Sequence, residues 1–279
     1  MPRITKKDIY KEFGIEFVKS GKTSCHIVSP VGSIPPVLVD GNEKIGKGVY
    51  HFSTLPGCKE YNVTLANGEN VVIPGTCAGN CENGYCMAGR YAMKNVRNSL
   101  ANKTVLAHDY MEYLEKAIMA QIKANHIKTL RIHVTGDFFS KAYLEMWKRI
   151  IKANPDTTFW TYTKESSAEN AFDNLENANI VKSNTPVLAG IESKTNGYNF
   201  GHCDYIIAMY KFLKAMGKSV YICRCGIDDN QHCTNCTACA KCDVVLFLEH
   251  GTDYNAREDP LYPILVDLIN SQDNSFITK

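Results

Sequence analysis

The sequence predicts an α/β protein whose centre is a parallel (β/α) barrel, partial or closed. Three observations predict it. Strand-like and helix-like periods alternate through residues 76–222, the pattern of a parallel sheet with crossover helices. Residues 1–75 instead read as short β pieces separated by turn residues, a β-rich lead-in. Residues 223–279 break the rhythm with a cysteine-rich region and a last helix.

In the lead-in, Cys25-His-Ile-Val and Pro36-Val-Leu-Val are interrupted by Gly32, Pro35 and Gly41-Asn42. Val49-Tyr-His-Phe-Ser follows, then Tyr61-Asn-Val-Thr-Leu, a turn at Asn67-Gly68, and Asn70-Val-Val-Ile-Pro. Alternation bounded by such turns makes hairpins. The period then changes. Met111, Leu114, Ile118 and Ile122 recur at helical spacing with charged residues between them. Thr129 to Val134 reads as a strand, and Tyr143, Leu144, Trp147, Ile150 and Ile151 mark a helix capped by Ser140. Thr157 to Thr163 is β-branched and aromatic, as a buried strand requires. A helix near Ser166–Leu175, a strand at Pro186–Ile191, a helix at Tyr205–Met216 and strands at Ser219–Ile222 and Val244–Leu248 complete the alternation. A final helix is expected from about Leu261 to Ile269.

Length and composition bound the function. A chain of 279 residues makes one large domain or one domain with appendages. Its 44% hydrophobic and 22% charged residues are those of an ordinary soluble protein. With 31 basic against 29 acidic residues there is no global field to recruit nucleic acid, and no basic stripe interleaved with aromatics. No run approaches the roughly 20 apolar residues of a spanning helix, so no membrane partner is expected. The N-terminus has no apolar core of signal-peptide length. The twelve cysteines therefore read as thiols of a reducing cytoplasm held on metal, rather than as a disulfide framework.

Two groups of thiols carry that reading. Cys77, Cys81 and Cys86 form a C-x3-C-x4-C run, interleaved with Gly79, Asn80, Asn83 and Gly84, which let the backbone turn tightly. Three soft sulfurs suit an iron–sulfur cluster or zinc, with the fourth position left to a substrate. A structural zinc loop is the plainer alternative. Cys233, Cys236, Cys239 and Cys242 repeat at a spacing that lets all four reach one centre. The fourth ligand to Cys233, Cys236 and Cys239 comes from Cys242, Cys225 or Cys223, and spacing does not choose.

Ligands of parallel α/β folds sit at the C-terminal ends of strands. Three features fall at such ends: the first cysteine loop after the Val71 strand, Thr135-Gly136-Asp137, and Tyr162-Thr163-Lys164. Cys77, Cys81 and Cys86, with Tyr85 before the last cysteine, resemble the cluster motif of the radical S-adenosylmethionine (SAM) superfamily, with a second gap two residues longer than usual. Gly136-Asp137 resembles the Gly-Gly-Glu element that holds the amino group of SAM, with Asp in place of Glu and one glycine instead of two. A broader resemblance, to the phage gene product 88 family, covers most of the chain. It is carried by Asn42-Glu-Lys-Ile-Gly-Lys-Gly, Phe52-Ser-Thr-Leu-Pro-Gly, Cys77 to Ala92, Arg131-Ile-His-Val-Thr-Gly-Asp-Phe-Phe-Ser, Tyr162-Thr-Lys, and the Cys233 group with Phe247-Leu-Glu-His-Gly. That family brings a mobile-element context and no reaction.

The radical SAM resemblance implies a [4Fe-4S] cluster on Cys77, Cys81 and Cys86, whose open iron takes SAM. One electron from a donor such as flavodoxin or ferredoxin then cleaves SAM and starts radical chemistry on an unknown substrate. Tyr85, Thr135, Gly136, Asp137 and Lys164 would line the SAM site, with Asp137 accepting from the ammonium. The alternative for Asp137 is a helix-start acid. For Lys164 it is a solvated lysine. The second thiol group would be an auxiliary [4Fe-4S] cluster, serving as electron relay or substrate anchor, or a zinc staple. Two other functions stand beside this one: a non-catalytic metal-binding protein, in one version associated with nucleic acid, and an iron–sulfur enzyme that does not use SAM. His133 inside a strand reads as a core histidine, and Trp147 and Trp160 as core. Cys25, Cys58 and Cys203 read as unligated small residues. His250 is either catalytic or a surface histidine.

Overall fold

A computed structural model describes residues 4–20, 24–42, 45–77, 89–168, 171–182, 200–224, 227, 232–248 and 255–277. Helix α1 (Lys6–Glu12) opens it with a capping box, Thr5 and Asp8 each bonding the other's backbone N–H. The lead-in continues as an antiparallel meander of β1 (Glu16–Ser20), β2 (Ser24–Ser29) and β3 (Gly32–Ile34), then β4 (Val39–Asp40), β5 (Tyr50–His51) and the hairpin β6 (Glu60–Thr64) and β7 (Asn70–Pro74). Two helices follow, α2 (Lys94–Asp109) and α3 (Met111–Asn125), then β8 (Thr129–Ile132), α4 (Lys141–Ala153), β9 (Thr158–Thr163) and β10 (Ala178–Lys182). The remainder is β11 (Phe200–Gly201), α5 (Cys203–Ala215), β12 (Val220–Ile222), α6 (Ala238–Lys241), β13 (Val244–Leu248) and α7 (Tyr262–Ser271).

The central sheet has the order β10-β9-β8-β5-β4, parallel from β10 to β5, with β4 antiparallel at its edge. A second parallel sheet has the order β11-β13-β12. Neither sheet closes on itself among the described residues. Strand β5, from the lead-in, pairs directly with β8, Tyr50 opposite Leu130 and His51 opposite Arg131. Packing therefore runs straight across residue 75. Hydrophobic side chains from Tyr10 to Phe172 share one core in which Leu130, Ile132 and Phe159 meet Leu114, Ile118, Met146 and Trp147.

The pleat sends alternate side chains to opposite faces. Trp160 and Tyr162 belong to the other side of the sheet, where they pack with Ile45, Val49, Cys233 and Cys239. The cysteine-rich region is thus docked on the back of the central sheet. A separate core joins α5 and α7 to β12 and β13. No helix among the described residues is long and apolar enough to cross a membrane.

Several expectations change. The cysteine loop does not follow a strand of the parallel sheet: among the described strands, β7 pairs only with β6. Among the described residues of 166–175 there is a short 3-10 turn at Ser166–Ala168 and a turn from 171 rather than a helix, and β10 follows where no strand was expected. The strand expected at Pro186–Ile191 lies outside the described residues. Helix α2 was also unexpected. Its inner positions include Asn102, Lys103 and Thr104, which hide its apolar period. Two of them are used by the fold, Asn102 accepting from Ala66 N–H and Thr104 from Leu55 N–H.

Candidate metal centre

Cys77 is half-buried and directly follows Thr76, which anchors the hairpin to the central sheet. Thr76 N–H donates to Leu55 C=O, Thr76 Oγ1 donates to the same carbonyl at 3.0 Å, and Cys77 N–H donates to Gly57 C=O. Thr76 Oγ1 also accepts from the Asp137 N–H at 3.2 Å and lies 2.8 Å from Thr54 Oγ1. Thr135 closes the same knot: its hydroxyl donates to Thr54 C=O at 2.7 Å, and its carbonyl accepts from Thr54 N–H. Gly136 sits between them at φ 86°, where a Cβ would collide with the hydroxyls of Thr54 and Thr76. Only glycine satisfies both that dihedral and that approach.

These bonds bring Cys77 beside Gly136 and Asp137, although 59 residues separate Cys77 from Gly136 in sequence. Asp137 is buried. Its Oδ1 accepts from Phe138 N–H at 2.8 Å and from the Thr163 hydroxyl at 2.6 Å, and its Oδ2 accepts from Lys164 N–H at 2.9 Å. The carboxylate thus ties the end of β8 to the end of β9. Burial raises its pKa, opposed by the same three bonds. It is not a helix-start acid: α4 begins at Lys141, its cap is Ser140, and its first turn carries no acid. Cys81, Cys86 and Tyr85 lie outside the described residues. Thr54 and Thr76 were not singled out from the sequence, and Thr163 was named only as part of the Tyr162-Thr163-Lys164 strand end. Position was the available signal for Thr163, which stands at a strand end between Tyr162 and Lys164.

The second thiol group is better defined. A 3-10 turn carries Cys233, a β-bridge to Ile277 carries Cys236, and α6 carries Cys239. Cys223, Cys233, Cys236 and Cys239 line one cleft of about 60 Å³ with Trp160 and Arg224. Cys242 does not line it. That side chain is buried with Tyr221, Ala238 and Val245, in a cluster against which Cys223, Cys236 and Cys239 also pack. Cys223 lines the cleft and Cys242 shares a cluster with the same three thiols, so the fourth position stays open between them; Cys225 lies outside the described residues. Among the described residues, no three His, Cys, Asp or Glu side chains stand at separations that would hold a metal ion.

The donor set nonetheless fits a soft metal: four thiols around one cleft, without competing carboxylates among its lining residues. Tyr162 places its hydroxyl 2.7 Å from Cys239 Sγ, and Asn179 Nδ2 donates to the carbonyls of Cys239 and Cys242, fixing α6 on β9 and β10. Thr234 Oγ1 donates to Lys47 C=O on the other flank. Burial pushes the thiols of Cys236, Cys239 and Cys242 upward, most strongly that of Cys239, so the free side chains are neutral. A bound metal would take the place of the thiol protons.

His133 is the core histidine expected, buried at φ 58° with Nε2 2.8 Å from the Tyr143 hydroxyl. Burial lowers its pKa to about 3, keeping it neutral. Trp147 and Trp160 are core. His250 lies outside the described residues.

A family model described as Gene product 88 matches residues 36–252. The Gene 88 protein of Mycobacterium phage L5 is 30% identical over 125 residues, covering 38% of this chain and 52% of the phage protein. The Gene 88 protein of Mycobacterium phage D29 is 28% identical with the same coverage. The chain thus spans about half the length of the curated relatives it matches. No solved structure matches. The family match extends from the end of the meander through both thiol groups, and on that ground the chain belongs to the Gene product 88 family.

Proposed function

We propose that this protein is an iron–sulfur enzyme of the radical SAM kind, with a working cluster on the Cys77 loop and an auxiliary metal on the second thiol group. The observation that supports it is the threonine knot, which seats Thr76, the residue before Cys77, on the Gly136-Asp137 turn. A loop that starts at Cys77 and a buried acid on one anchored turn are what cluster and SAM binding need in one place. When bound, that pair would supply one-electron cleavage of SAM, with the electron arriving from a carrier such as flavodoxin or ferredoxin.

The chain's own part is holding and orienting. Cys77, Cys81 and Cys86 would hold the cluster. Gly136 lets the turn close on the Thr54 and Thr76 hydroxyls, and Asp137 keeps one Oδ2 lone pair beyond its bond to Lys164 N–H for an incoming ammonium. Thr163 and the Lys164 N–H fix the carboxylate's orientation. Titrating SAM into the anaerobically reconstituted protein, followed by electron paramagnetic resonance, tests this. The expected result is a shifted cluster signal in wild type and an affinity lowered about ten- to a hundredfold in Asp137→Ala, for loss of one charged partner. No response in wild type removes SAM and leaves an iron–sulfur protein of another chemistry. At the second site, a four-thiol cleft equally supports a zinc staple, which metal analysis distinguishes.

A further inference from the structure

The pairing of β5 with β8 breaks at His133. Phe52 N–H donates to Arg131 C=O at 3.1 Å, which continues the ladder. An unbroken parallel ladder would return the next bond from His133 N–H, but Val134 N–H makes it, to Phe52 C=O at 3.0 Å. Thr54 N–H then donates to Thr135 C=O at 3.1 Å. The step from Phe52 to Thr54 is thus matched by the longer step from Arg131 to Thr135, a β-bulge on the β8 side. His133 lies in it at φ 58°. The pleat that puts Leu130 and Ile132 in the core and Arg131 over Tyr162 should send His133 after Arg131. Its ring lies in the core instead, beside Phe52, Phe138, Tyr143 and Trp147.

We infer that His133 is a positioning residue, whose left-handed backbone makes the bulge that delivers the Gly136-Asp137 turn to the Thr54 and Thr76 hydroxyls. A left-handed φ is unfavourable for a residue with a Cβ, and a bend under no other demand would carry glycine. His133 Nδ1 is also buried with no hydrogen-bond partner among the described residues. What the ring supplies in return is an anchor. Its Nε2 lies 2.8 Å from the Tyr143 hydroxyl, in the first turn of α4. That bond clips together the two ends of the segment that contains Gly136 and Asp137. Bulges re-aim side chains in this way beside functional sites. The inference deepens the proposed function and rests on it for the ligand, but not for the position of Asp137.

Amide hydrogen exchange of the full-length protein reads that position without any ligand, at the Phe138 and Lys164 N–H groups that donate to the Asp137 carboxylate. His133→Ala is expected to speed exchange at both about tenfold or more, while Trp160 in β9 keeps its rate. His133→Asn, which tolerates the left-handed backbone, is expected to recover most of that protection. In the reconstituted protein, His133→Ala is expected to weaken SAM binding about tenfold and His133→Asn to restore it in part. Should His133→Ala fail to fold, Tyr143→Phe removes only the partner of the ring and is expected to give the same local change. Unchanged exchange at Phe138 and Lys164, equal acceleration throughout the core, or an Asn variant no better than Ala overturns the inference. So does unaltered SAM affinity in variants of a wild type that binds SAM. Wild type that ignores SAM while the two amides respond as expected removes the SAM reading and supports the positioning role.

Discussion

Asp137 does its structural work through three hydrogen bonds whose donors come from two strand ends. Removing the carboxylate in Asp137→Ala leaves Phe138 N–H, Lys164 N–H and the Thr163 hydroxyl buried without an acceptor. The expected loss is roughly 2–5 kcal/mol of stability, well beyond a surface acid, measured by urea unfolding. The sign of its pH dependence follows from burial. Its pKa is raised above the ordinary 3.8, so the fold favours the protonated form. The associated stability is present below the ordinary value and is lost as pH rises through the folded value. Wild type should therefore lose stability relative to Asp137→Asn across the pH range just above 3.8, and a flat difference would contradict the assignment. Asp137 was visible in the sequence as an acid behind a glycine at a strand end. Thr54 and Thr76 were not, although Thr135 was, because the partners of that knot bond across as many as 81 residues and leave no local period.

Strongly periodic elements were legible. α4 carries its apolar face and its Ser140 cap in plain order, and β9 its run of β-branched and aromatic residues. Elements that depend on tertiary partners were not. β5 lies within the Val49–Ser53 piece that reads as β, but its parallel pairing with β8 leaves no local signal. α2 turns polar residues inward to bond loop backbone. α3 shows the same device in one residue: buried Gln121 accepts from Leu38 N–H at 2.8 Å and donates to Leu38 C=O at 2.7 Å. Gln121→Leu keeps the volume and removes both partners of that backbone unit. The expected cost is about 2–4 kcal/mol in chemical denaturation, whereas a change within about 0.5 kcal/mol would mean that Leu38 finds other partners.

Over the whole molecule, the cysteine spacing displayed both thiol groups, but their surroundings depend on where the back of the sheet lies. Cys223 reaches the cleft through the end of β12, and Cys242 sits in a small core that Cys223, Cys236 and Cys239 also pack against. The two groups are also held by different knots: Cys77 by Thr76 over Leu55 and Asp137, Cys239 by Tyr162 and Asn179. Cys77→Ala and Cys239→Ala are therefore each expected to lose one metal site and keep the other, read as metal per chain. Loss of both in either variant would indicate one shared site or global unfolding.

The central claim is that these thiols hold iron–sulfur clusters. Its most direct test is the iron, acid-labile sulfide and zinc content of the anaerobically isolated protein. A brown protein with sulfide, and with more iron than zinc, is the predicted result. A colourless protein that carries stoichiometric zinc and takes up no iron on reconstitution would contradict it.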